Sequence, residues 1–149
     1  MPTNIEKSIW TALRRLFKRD AELLRYDVNE RTITHKLAQY LEPEFPEWDV
    51  DCEYNRNHDK TKRLKYLPGK LVSLNNTDGT SVFPDIIVHK RMTDENYVVI
   101  EVKKSTSNES PAFDQQKLLA FKIELHYRFA VFVRIATGSE EMTATVEWV

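Results

Sequence analysis

Three charged residues interrupt apolar, strand-like runs: Asp85 within residues 82–88, and Glu101 and Lys103 within residues 97–104. Strand side chains alternate, so Glu101 and Lys103 share a face with Val99, while Val98, Ile100 and Val102 take the other. If the polar stretch Arg91 to Asn96 is a hairpin turn centred near Thr93 and Asp94, cross-strand partners have numbers summing to about 187. Asp85 then falls opposite Val102, beside Glu101, and two carboxylates converge with one ammonium. Neighbouring carboxylates resist being charged together unless a divalent cation lies between them. Magnesium, which prefers oxygen ligands, is the natural candidate, with the Val102 backbone carbonyl, Glu30 and water as further ligands. Such a metal polarises a phosphoryl oxygen, while Lys103 orients or deprotonates the attacking water and offsets the charge that grows in the transition state. Phosphodiester hydrolysis is the chemistry these parts fit. A structural hairpin held by ion pairs is the competing explanation, although neither strand has the clean polar face of a solvated sheet.

Other chemistries lack their parts. The chain has no glycine-rich phosphate loop, no Gly-x-Ser-x-Gly elbow and no His-Glu-x-x-His pair. His35, His58, His89 and His126 are scattered, and His89 lies four strand residues, about 13 Å, from Asp85. All four read as structural or surface histidines.

The elements that position these residues follow from periodicity. Thr3 and Glu6 have capping-box spacing, and Ile5, Ile9, Leu13, Leu16, Phe17 and Leu24 mark an amphipathic helix running to about Arg25. Asp27 and Glu30 repeat the spacing before a second helix that carries Ile33, Leu37, Tyr40 and Leu41 and ends before Pro43 or Pro46. Glu30 either caps this helix or, at the end of its buried stripe, looks toward the sheet. Trp48, Val50, Cys52 and Tyr54 alternate with polar residues as a half-buried first strand. Periodicity fades from Arg56 to Ser81, where Arg56, Lys60, Lys62, Arg63 and Lys65 make the most basic segment, either a solvated loop or a nucleic-acid contact together with Lys104. Ser110 and Pro111 open a third helix with Leu118, Phe121 and Leu125 inward. Residues 129–135 and 143–149 are the last two strands. A helix joining two strands by a crossover implies that part of the sheet is parallel, giving a mixed α/β sheet flanked by helices.

At 149 residues the chain suits a single domain spanning 1–149, with N-terminal helices over 4–42 and the sheet and crossover helix over 48–149. One cysteine excludes an internal disulfide and a cysteine-rich zinc site. Twenty-two Lys and Arg against 23 Asp and Glu give a formal charge of −1, so a polyanion must be held by a local patch. The longest apolar runs are too short to cross a bilayer, and no signal pattern opens the chain; a soluble, cytoplasmic protein with no membrane association is expected.

Pro84-Asp85, followed after fifteen residues by Glu101-Val102-Lys103, resembles the signature of the PD-(D/E)xK nuclease superfamily. Glu30 on an upstream helix, a strand ending in Glu53-Tyr54, the hairpin and the following helix fall in that family's order, so the resemblance covers roughly residues 27–136. It implies a restriction-endonuclease-like fold and a nuclease in which Asp85 and Glu101 bind magnesium or manganese, Lys103 serves the water and Glu30 assists the metal. An accessory Gln-Tyr pair found on the next helix in some branches is absent: Gln115 and Gln116 are followed at that spacing by Leu119 and Ala120. Asp114 and Lys117 share a turn of that helix and have no role that sequence assigns. DNA is the expected substrate ahead of RNA, and a module of this fold that only binds nucleic acid or a protein partner is the alternative. One site cuts one strand, so double-strand cleavage calls for a homodimer or repeated nicking, with the closing strand as a pairing edge.

Overall fold

The computed structural model of the protein describes residues 3–54 and 83–149, with the backbone of residues 56–57, 60–61, 63–64 and 80–81 between them. The chain begins with α1 (Thr3–Arg19), α2 (Ala21–Arg25) and α3 (Glu30–Leu41). The single helix expected to reach Arg25 is broken at Asp20, which leaves helical geometry at φ −124° and ψ 30° and accepts a hydrogen bond from the Tyr40 hydroxyl. That tertiary bond to α3 outweighs the local preference for continuing one helix. Asn29, not Asp27, caps α3, its Oδ1 accepting from the Thr32 N–H at 2.8 Å. Asp27 adopts a left-handed φ of 52° and its carboxylate faces Thr106 and Lys104 instead.

After a 3-10 turn at Glu42–Glu44 comes β1 (Asp49–Cys52). Two short antiparallel pairs follow, β2 (Arg56–Asn57) with β3 (Lys60–Thr61) and β4 (Arg63–Leu64) with β5 (Thr80–Ser81). The side chains of Arg56, Lys60, Lys62, Arg63 and Lys65, proposed from sequence as a basic contact, lie outside the described residues. The chain closes with β6 (Ile86–His89), β7 (Asn96–Lys104), α4 (Pro111–Glu124), β8 (Phe129–Ile135) and β9 (Ala144–Trp148).

The five-stranded sheet has the order β1-β6-β7-β8-β9. Only β7 and β8, joined through α4, pair in parallel; the other neighbours are antiparallel, so the sheet is mixed as the crossover requires. Ile86, Val88, Val98, Ile100 and Val102 pack on α1 and α3, while Ile87, Val99 and Phe132 pack on Leu118 and Phe121 of α4. Glu101 and Lys103, in phase with Val99, therefore point toward α4. Glu6 accepts a hydrogen bond from the Trp148 indole at 2.8 Å, fastening α1 to the edge strand β9. Among the described residues no helix is long and apolar enough to cross a membrane.

The hairpin register differs by one from the expected pairing. Ile86 pairs with Ile100 and Val88 with Val98, numbers that sum to 186. The cause is local: the turn centres between Met92 and Thr93, with Met92 in left-handed geometry at φ 61°, and a bulge lies between Val88 and His89. Continued past Ile86, this register sets Asp85 across from Glu101 rather than Val102.

Strand β1 departs from simple alternation. Cys52 is exposed, whereas Asp51 is drawn inward by the buried His89, whose Nε2 lies 2.7 Å from Asp51 Oδ2, and by the Arg91 guanidinium. Burial by itself raises the Asp51 pKa, but Arg91 and His89 hold it below the usual carboxylate range. Asp51 thus ties the edge strand to the hairpin. Asp51→Ala leaves His89 buried without this partner, and urea denaturation should show a loss of about 2 kcal/mol; a change under about 0.5 kcal/mol would contradict the assignment of Asp51 as a tie.

Candidate functional site

The site forms where the β6–β7 ladder stops. Pro84 brings no N–H to the ladder, and beyond Ile86 and Ile100 the carboxylates take over as acceptors. The Asp85 N–H donates to Glu101 Oε2 at 2.8 Å, and the Val102 N–H donates to Asp85 Oδ2 at 2.8 Å. Each carboxylate is thus fixed by the backbone of the opposite strand. Glu101 is only 1% exposed.

Helix α4 supplies counter-charges that sequence reading left without a role. Lys117 Nζ donates to Glu101 Oε1 at 2.9 Å and to the Phe83 carbonyl at 2.8 Å. Lys103, 3% exposed, lies 2.6 Å from Asp114 and 3.5 Å from the exposed Glu109. Glu101 and Lys103 are two apart on a strand, so about 6.6 Å separates them; Asp114 and Lys117, three apart on a helix, lie one above the other on one face. Two crossed pairs result, each acid facing a base. The available signal was the α4 stripe itself: Asp114 and Lys117 extend, at helical spacing, the line through Leu118 and Phe121 that faces the sheet.

Glu30 comes to the same end of β7. Its Oε2 accepts from the Lys104 N–H at 3.0 Å, and with Asn29, Thr34, Glu53 and Asp85 it lines a cleft. Of the two roles open to Glu30 in sequence, the structure shows it facing the sheet. Glu53, just past β1, stands at φ 49° and donates its N–H to the Asp85 carbonyl at 3.1 Å. The Lys104 ammonium points away from the cleft's acids toward the α2–α3 connection, 3.1 Å from both the Val28 carbonyl and Asp27.

Electrostatics set the protonation of this group. Burial, first, pushes the Asp85 carboxyl up to about 6, against the Val102 N–H and Lys117, with Glu30 and Asp114 adding to the rise. Burial and then the Asp85 charge push Glu101 up to about 8, although Lys117 opposes both. Lys117 and Lys103 are both held above the ordinary lysine value: burial works against their charge, but Glu101 and Asp114 respectively outweigh it. A fully neutralised Glu101 and a Lys117 held by its charge are inconsistent. With Lys117 protonated beside Glu101, the two carboxyls titrate together, each resisting the other's charge.

The donors are hard oxygens, which suits magnesium or manganese and not a soft metal. Among the described residues no three His, Cys, Asp or Glu side chains stand close enough to enclose an ion. Asp85 and Glu101 would hold such an ion with the Val102 carbonyl and water, a sparse protein shell of the kind magnesium accepts. No protein-family model, curated protein or solved structure matches the chain.

Both carboxyl shifts are upward, so above the unfolded values the folded protein holds more protons than the unfolded chain. The associated stability is complete below those values and drains as pH rises through about 6 to about 8. The melting temperature of metal-free protein should therefore fall between about pH 5 and about pH 8, and Glu101→Gln should flatten the fall. An undiminished slope in that variant would place the titration elsewhere.

Proposed function

We propose that the protein is a metal-dependent nuclease of the PD-(D/E)xK type, with a restriction-endonuclease-like fold, that hydrolyses phosphodiester bonds in DNA in preference to RNA. The observation that carries this reading is the pair of the half-buried Asp85 and the buried Glu101, fixed across two adjacent strands by reciprocal backbone hydrogen bonds. A protein has little reason to bury two carboxylates side by side for stability, since desolvating them is costly. Magnesium or manganese, when bound, supplies Lewis-acid polarisation of the scissile phosphate.

The chain's own residues supply the rest. Asp85 and Glu101 provide fixed negative charge and the Val102 carbonyl a neutral oxygen. Lys103 is kept protonated by Asp114, so its role is to donate to the attacking water and to the charge that builds on the phosphate, not to remove a proton. Glu30, bonded to the Lys104 N–H, holds the end of β7 and adds negative charge beside Asp85 and Lys103. Nucleic acid would reach the site along the cleft beside α3, whose lining includes Glu53, three residues before the sequence segment that carries Arg56, Lys60, Lys62, Arg63 and Lys65.

A second reading is a module of the same fold that binds nucleic acid or a protein partner without cleaving. Lys117 favours it, because its ammonium already neutralises Glu101. A panel of single-stranded, duplex, branched and RNA substrates separates the two. With magnesium or manganese the wild type should cleave at least one of them, and Asp85→Ala and Lys103→Ala should each lower the rate at least about a hundredfold. Metal-independent binding with no cleavage would favour the module, and cleavage surviving both substitutions would overturn the site assignment.

A further inference from the structure

We infer that Lys117 is a resident counter-ion that occupies the Glu101 position of the cation site and must withdraw before a divalent ion can bind. The inference rests on the metal-dependent reading above and concerns a residue which that reading does not use. Both Glu101 oxygens are engaged: Oε2 by the Asp85 N–H and Oε1 by Lys117. The two partners differ in freedom. The Asp85 N–H is fixed by the backbone at the end of β6, whereas the Lys117 ammonium ends a flexible four-carbon stem on another element. An ion that takes up Glu101 through Oε1 therefore displaces Lys117, not the strand.

The surroundings allow the displacement. The Lys117 side chain is 13% exposed against 2% for Glu101, so it reaches solvent where the carboxylate does not. Its second bond, to the Phe83 carbonyl, gives it an anchor that does not depend on Glu101. Asp114, one turn earlier on α4, is engaged with Lys103 and leaves that lysine in place when Lys117 moves. The exchange replaces one positive charge with two beside a pair of carboxylates. Lys117 thereby sets a threshold: the ammonium keeps Glu101 at low divalent-ion concentration, and the site loads only when the ion outcompetes it.

Lys117→Met removes the charge at nearly constant volume. Titration of manganese chloride into metal-free protein, followed by calorimetry, should show the variant binding roughly tenfold tighter than the wild type. A second measurement uses the wild type alone and covers the case in which the variant does not fold. Acetylation of lysines, read by mass spectrometry, should find Lys117 protected without manganese and modified roughly tenfold faster with it. Equal or weaker manganese binding by a folded variant overturns the counter-ion role while leaving the metal site standing. Lys117 protection unchanged by bound manganese does the same. Failure of both proteins to bind manganese at millimolar concentration overturns the role and the metal-dependent reading together.

Discussion

Two carboxylates set side by side where a backbone ladder ends, Glu101 buried and Asp85 half-buried, are the constraint around which the site is arranged. A hairpin that opens leaves strand N–H groups without partners, and each must find an acceptor. Here the acceptors are the side chains of Asp85 and Glu101, reciprocally placed. The arrangement satisfies the backbone at the cost of concentrating negative charge at the floor of a cleft, where Glu101 is shut off from water. Two lysines answer that charge, Lys117 on Glu101 and Lys103 beside Asp114. An isolated charge in such a place would shift its pKa until it neutralised, and the upward shifts of both carboxyls are that response.

The fold makes these neighbours available. A parallel β7–β8 pair requires a crossover, and α4 is that crossover, lying over the face of β7 from which Glu101 and Lys103 project. The opposite face of β7 carries Val98, Ile100 and Val102 into the core against α1 and α3. One strand thus alternates between a hydrophobic anchor and a charged functional face, and the apolar half holds the charged half in place. The N-terminus of α3 reaches the same strand end, so Glu30 bonds to the Lys104 backbone while Asn29 does the capping. Release of Glu30 from the capping role is what allows it to face the sheet.

Much of this was legible in the chain, and the exceptions have physical causes. Strands β6 to β8 and helix α4 were readable because their apolar runs and the Ser110-Pro111 start admit few alternatives. Adjacency of Asp85 and Glu101 followed from pairing arithmetic, but the register was off by one because a turn centre between Met92 and Thr93 and a bulge at His89 leave no periodic trace. The break at Asp20 depends on Tyr40, twenty residues away, which local helix preference does not register. Asp51 lies inward and Cys52 outward because a buried histidine and Arg91 override the β1 alternation. Asp114 and Lys117 were visible as an opposite-charge pair on one turn of helix, yet their partners depend on how α4 is rotated over β7. That rotation is a tertiary fact.

We propose Asp85 and Glu101 as a divalent-cation site. The most direct test is anomalous diffraction from crystals of the wild type grown with manganese. A single anomalous peak within about 2.2 Å of carboxylate oxygens of both Asp85 and Glu101 is the result expected. Strong density elsewhere, or none between these two side chains with Lys117 still on Glu101, would contradict it.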